Sequence, residues 1–459
     1  MNRPLWKACE EVCLAGLCKK TNIRVAVLLA ACLSPILAFA QNDNWLGGTG
    51  LWSDATKWSA GVPTSSNSVF IDNGKAGASP VTINFNGAQC ANLTIDSDDS
   101  LTLVDGTIFT LYGPTISNAG NIFLNSAGFG LDFNFGGAVT LTGAGTLTMS
   151  NFSTNAIMGY AQPSPGASLT NKSTIQGAGG VGGAGGIGNG NSFINQGKVN
   201  ANQTTPLTII VGSGTVANTG TLEATSGATL ALDDGTITNT GGTIHADPAS
   251  IVSLYDLTVS GGTLTTTGSG IIEAVCCLGY STLNGVTLNG NFSLVGNNIG
   301  FLEGTITDNG SILITPNATL DIVGAVPLKG SGSLTMSNTS SLMAYAQASP
   351  GASLTNQITI QGAGERTRSP FREREGLAVP AGLVPAIVSP TKQRSTPIRR
   401  IHCSSTPAPA RSPIPARWRP RMGRRWSSTT VHSPTQGVSS TPIPLPSYRS
   451  TTQRSAEAR

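Results

Sequence analysis

Between residues 41 and 364 apolar residues alternate with small polar ones in short bursts, as in "NAGNIFL", "NTGTLEATSGATLAL", "NTGGTIHADPASIVSL", "VSGGTLTTTG", "NGNFSLV" and "NGSILI". Period-two alternation predicts strands with one buried face. Glycine with Asn or Ser separates the bursts, and Gly220, Gly241, Gly261, Gly290 and Gly310 are mostly about twenty residues apart. Gly or Asn at such turns is expected to supply positive φ at little cost. A unit of this length cannot bury its apolar face alone, so neighbouring units must stack. With no helical segment between the strands, the pattern predicts an all-β, single-stranded parallel β-helix (β-solenoid) over residues 81–364. At about 4.8 Å per coil, roughly thirteen coils would make a rod on the order of 60 Å long. Its two end edges need covers.

One cover is legible at residues 41–80. The stretch "NWLGGTGLWSDATKWSAGVP" holds Trp45, Trp52 and Trp58, three of the six Trp in the chain. They can close the first coil with large apolar area; a sugar-binding platform is the sharper alternative. The run Trp45, Gly47, Gly48, Gly50, Trp52, Trp58, Gly61 and Pro63 resembles the opening of exported bacterial β-solenoid surface proteins of the autotransporter-passenger and PEP-CTERM type. That resemblance implies export and a C-terminal anchor, either an outer-membrane barrel or a sorting tail, and neither is recognised in these residues. Outer-membrane association would depend on that missing anchor.

Composition agrees with strands and turns: 57 Gly, 11% charged and 5% aromatic residues. Charge divides the chain into three. Residues 1–40 carry five basic and two acidic residues, residues 41–364 five Lys, no Arg and seventeen acids, and residues 365–459 seventeen basic residues and four acids. The first segment reads as a signal peptide, with "KKTNIR", the apolar "VAVLLAACLSPILA" and "AFA" before Gln41. Leu29, Ala30, Ala31 and Cys32 offer a competing lipoprotein cleavage box. Of the cysteines beyond it, Cys90, Cys276, Cys277 and Cys403 have no metal-ligand spacing and read as small buried residues.

A longer repeat overlies the coil. "LTMSNFSTNAIMGYAQPSPGASLTNKSTIQGAG" at 147–179 returns as "LTMSNTSSLMAYAQASPGASLTNQITIQGAG" at 334–364, after which Arg, Ser and Pro take over. Back-translating Ala416 to Gly437 and regrouping the bases across codon boundaries yields, with synonymous choices, T-L-E-A-Q-D-G-T-A-L-V-L-D-D-G-T-L-T-N-A-G. Thr221 to Gly241 reads T-L-E-A-T-S-G-A-T-L-A-L-D-D-G-T-I-T-N-T-G. Residues 365–459 therefore read as a frameshifted translation of further coil, a disordered tail with no apolar periodicity. Its positive charge alone would suggest nucleic acid, but no recognition fold or aromatic interleaving accompanies it, so no nucleic-acid partner is expected.

Candidate chemistry is thin. Asp233 with Asp234, and Asp96, Asp98 and Asp99, read as solvated turn acids. His245 and Asp247 would share a strand face, but the coil supplies no Arg to hold an anionic substrate. "GAGGVGG" from Gly177 matches a dinucleotide glycine pattern without its βαβ context and reads as a loop. No catalytic, cofactor-binding or metal residue is assigned, no cofactor is expected, and the reading is of an exported, non-enzymatic, adhesin-like surface protein whose partners would be extracellular glycan or protein surfaces. A polysaccharide lyase or hydrolase is the rival; carboxylates and cations converging on one face would favour it, and a bare Thr/Asn/Ser face the adhesin.

Overall fold

The computed structural model describes residues 41–366, except 72–73, 160–165, 183–186, 188–189, 276–279 and 346–350, together with 372–373. The segment expected to be an export signal, with Cys32, lies outside these residues, as do the paired Cys276 and Cys277, Cys403 and the rest of the basic tail.

Strands follow one another three to a turn, and among the described residues their ladders are parallel. The first face runs from Gln41–Asn44 through Asn67–Ile71 to Glu365–Arg366, the second from Gly50–Leu51 to Arg372–Glu373, and the third from Ala88–Cys90 to Thr359–Gly362. Strands Thr229–Thr238 and Ile251–Ser260 run unbroken through the corner between the third and first faces, fusing those two into one sheet. The solenoid has about 13 turns.

Alternation does the sorting that the sequence implied. On the second face Leu101, Ile122, Leu147, Ile175, Val199 and Leu222 are successive register partners, and all are buried. Each such row is a continuous apolar stack that no single turn could bury.

The turn averages about 23 residues rather than twenty. Register steps range from 31 residues, Gly50 to Val81, down to 17, Thr355 to Arg372. The glycines that suggested twenty lie at and beyond Gly220, where the turns are tightest.

The glycine and asparagine turns meet the expectation of positive φ only in part. Gly241 and Gly261 have φ of 81° and 74°. At Gly220 the requirement is closeness: a Cβ there would collide with the carbonyl oxygen of Gly197 one turn below. The Asn residues of these turns are fully buried and point inward. Asn171 Nδ2 donates to Asn195 Oδ1 at 2.8 Å, Asn195 to Asn218 at 2.7 Å, and Asn218 to Asn239 at 2.7 Å. This ladder satisfies amides that would otherwise be stranded in the corner. Beyond Asn239 the same corner passes to Gly261, Gly285, Gly304 and Gly324, all with positive φ.

The three Trp close the N-terminal end. Trp45 and Trp52 each pack against Trp58 with centroids 4.9 Å apart, and Trp52 reaches Phe109 of the third face at 5.2 Å. Phe109 has the small Ala88 as its register partner, which leaves room for the indole. Trp45 Nε1 donates to the Gly48 carbonyl and Trp58 Nε1 to the Trp52 carbonyl, both at 2.8 Å. All three are buried, so no ring face is open for stacking on a sugar.

The long repeat does not return to the same place. In its first copy, strands Thr146–Met149, Asn155–Gly159 and Ser168–Asn171 occupy the second, third and first faces. In the second copy, Ser333–Met336, Ser341–Ala344 and Ser353–Asn356 occupy the third, first and second. The copies are a third of a turn out of phase.

Pairing continues two short steps past Gly364, with Glu365–Arg366 beside Ser341–Leu342 and Arg372–Glu373 beside Thr355–Asn356. Arg366 takes the register position that Leu342 and Leu320 fill in the two preceding turns, both buried.

Candidate functional site

A group of ionisable side chains lies on the outward side of the second face. There the strands Lys198–Ala201, Thr221–Ala224, Thr243–Ala246 and Thr263–Thr266 pair in order. Asn200, Glu223, His245 and Thr265 form one outward row through successive turns, with Thr225, Asp247 and Thr267 just beyond the strand ends. Lys198 Nζ lies 3.1 Å from Glu223 Oε1, and His245 Nε2 lies 2.9 Å from Asp247 Oδ1. Thr267 Oγ1 donates to the same Asp247 oxygen at 3.1 Å.

Sequence reasoning placed His245 and Asp247 on one face, and they are in contact. It missed Glu223 and Lys198, which stand one and two turns away. Stacking "GTLEAT", "GTIHAD" and "GTLTTT" on their glycines would have brought Glu223, His245 and Thr265 into line.

Electrostatically the group is internally matched. The hydrogen bond with His245, aided by that from Thr267 and by the charge of Lys198, holds the Asp247 carboxyl below the usual aspartate range. Glu223 is nearly buried beneath the Lys198 stem. With Nε2 of His245 engaged, proton exchange with a substrate would have to use Nδ1.

The other acids fall elsewhere. Asp233 and Asp234 sit in the strand Thr229–Thr238 and not in a free turn, at its corner, where Asp234 adopts φ 54° and Asp256 one turn on adopts φ 45°. The register sets Asp234 beside Asp256. Burial, with the charges of Asp234 and Asp256, raises the Asp233 pKa. Asp99 is buried rather than solvated, its Oδ1 accepting from Ser79 N at 2.7 Å, while Asp96 accepts from Gly74 N. Among the described residues no three or more His, Cys, Asp or Glu side chains are grouped to hold a metal ion.

The glycine-rich run at Gly177 is part of the ladder, not a loop. Gly179–Val181 pairs with Ala156 and Ile157 on the third face, so strands flank a pattern that a dinucleotide site would place before a helix. Cys90 is buried, which pushes its thiol pKa far up. Among the described residues no helix is long and apolar enough to cross a membrane.

No protein family, curated protein or solved structure matches this chain.

Proposed function

We propose that the chain is an exported, non-enzymatic, adhesin-like surface protein whose solenoid presents a repetitive polar face. The observation that carries this reading is the side-chain ladder along the second face. Thr146 Oγ1 donates to Asn121 Oδ1 at 3.0 Å, Gln176 Nε2 to Thr148 Oγ1 at 3.2 Å, and Thr225 Oγ1 to Asn200 Oδ1 at 3.0 Å. Short, mutually ordered donors and acceptors repeat at the strand spacing, about 4.8 Å. A surface of that kind offers many weak, preorganised hydrogen bonds at low ordering cost, which suits an extended glycan or protein partner. The export signal and the Trp-Gly opening run of the sequence are consistent with delivery outside the cytoplasm.

Fractionation of a bacterial host expressing the full chain tests the export half. The expected product begins at Gln41, or at an acylated Cys32, outside the cytoplasm; a product retaining Met1 in the cytoplasm overturns it. Adhesion is tested by binding to arrayed glycans and matrix proteins, where loss of binding on replacing Gln176, Asn200 and Thr225 together with Ala is expected and unchanged binding would contradict the reading.

One observation favours a second reading, a polysaccharide-active enzyme: Lys198, Glu223, His245 and Asp247 gather cation and carboxylates on one face. Turnover of an acidic polysaccharide that disappears in His245→Ala would select it.

A further inference from the structure

The first face carries a different surface near its C-terminal end. The strands Tyr280–Asn284, Ile299–Glu303, Thr319–Val323 and Ser341–Ala344 pair in order. Alternation turns Tyr280, Phe301 and Asp321 outward, away from the buried Leu283, Leu302, Leu320 and Ile322. An outward aspartate should be wet, yet only 8% of Asp321 is exposed.

The roof over it is aromatic. Asp321 has Phe301 as its register partner one turn before and Met343 one turn after. Tyr345 follows the strand containing Met343, two turns from Phe301, a strand separation of roughly 9–10 Å. Their ring centroids are nevertheless 5.3 Å apart, so the two rings lean together across the strand that bears Asp321. Tyr280 extends the surface, 5.2 Å from Phe301 and half exposed.

Beneath these rings Asp321 Oδ1 has no hydrogen-bond partner among the described residues. A buried, unpaired carboxylate is costly, and here burial raises its pKa. Glu303 adds a second carboxylate at the rim, where it accepts from Asn284 Nδ2 at 3.1 Å. None of the five lysines between residues 41 and 364 lies on these four strands. The surface thus combines aromatic faces, which attract cations, with a carboxylate that has no counterion among the described residues.

We propose that Tyr280, Phe301, Asp321 and Tyr345 form a binding site for an organic ammonium group, carried by an amino sugar or by a lysine side chain. Asp321 Oδ1 is closed to solvent, so the Phe301 and Tyr345 rings must part to admit the ammonium, which would then donate to Oδ1 and lie against the rings, where charge pairing offsets the desolvation of both ions. This inference rests on the local geometry and does not depend on export or on adhesion by the second face.

The test is titration of the full-length protein with glucosamine, N-acetylglucosamine and Nα-acetyl-lysine methyl ester, read by calorimetry. Binding of at least one cation is expected, with N-acetylglucosamine weaker than glucosamine by about tenfold or more if the sugar is the source. Asp321→Asn should weaken the bound cation by about tenfold and Phe301→Leu by about threefold. Asn preserves the shape and removes the buried charge, and circular dichroism should show the fold intact. The tighter of the two cations identifies the source. Failure of both cations to bind at millimolar concentration, or unchanged binding in Asp321→Asn, overturns the site.

Discussion

Residues 147–179 and 334–364 are nearly the same sequence set on different faces of the same solenoid, and the contrast shows what the sequence encodes. Inward positions match in both copies: Leu147 and Leu334, Ile157 and Leu342, Leu169 and Leu354 are all buried. So does the ladder contact, with Gln176 Nε2 to Thr148 Oγ1 and Gln361 Nε2 to Thr335 Oγ1 both at 3.2 Å. Gly177 and Gly362 share φ of 120° and 110° and would both, with a Cβ, strike a methionine carbonyl one turn below, that of Met149 or Met336. The faces make the same demands on a strand, so the repeat specifies a coil and not a direction. Outward residues of the two copies therefore point different ways, and a ligand surface duplicated with the repeat would not line up.

The largest effect should come from matched cavities. Leu169→Ala, in the interior of the solenoid, should cost about 2–5 kcal/mol in chemical denaturation. Leu354→Ala should cost clearly less, because among the described residues only the short strands Thr359–Gly362, Glu365–Arg366 and Arg372–Glu373 pair beyond it, and local fraying can absorb the loss. Equal losses would mean that the end is as well closed as the middle.

Next, Gly177→Ala and Gly362→Ala should each cost about 1–3 kcal/mol, since both combine positive φ with a backbone collision. Hydrogen exchange should localise the damage to the turn holding Met149 in one case and Met336 in the other. Damage spread evenly along the coil would break the equivalence of the copies.

The corner between the first and second faces offers a third contrast. Asn218→Ala removes both its bond to Asn239 and the acceptor used by Asn195, and should cost about 1–3 kcal/mol. Gly304→Ala, in the glycine part of the same corner, should act through its φ of 63° instead. A smaller loss at Asn218 than at an exposed Asn such as Asn309 would contradict a buried ladder.

The smallest effect is on pH. Burial raises the pKa of Asp132, Asp308 and Asp321, so the folded chain binds these protons more readily than the unfolded one. Stability contributed by their protonation should grow as pH falls from neutral through the raised values, until the ordinary aspartate range is passed. Asp247 has the opposite sign: its contribution is present above the ordinary value and lost as pH falls through its lowered one. Urea midpoints should thus rise on mild acidification and fall at stronger acid, and Asp308→Asn should flatten the rise.

Coil class was legible because period-two alternation and a recurring glycine are local signals. The Trp cover was legible for the same reason: three large rings in an aromatic-poor chain have few places to go. What escaped was contact between turns. In "NTG" the Asn looks like a turn residue, and only the stacking of Asn195, Asn218 and Asn239 makes it an interior amide. Glu223 and Lys198 meet only because a turn separates them, and Asp321 is buried only because Phe301 and Tyr345 lean across two turns. Turn lengths of 17 to 31 residues defeat any fixed-period alignment that would have exposed these pairs.

The phase of the two copies is tested most directly by disulfide mapping on Thr355, whose counterpart in the first copy is Thr170. The register places Thr355 beside Pro327 on the second face, whereas copies in phase would set it on the first face over Asp321. Oxidised Pro327→Cys with Thr355→Cys should yield a mapped cross-link, and Asp321→Cys with Thr355→Cys none. The reverse pattern would contradict the out-of-phase repeat and the interchangeable faces it implies.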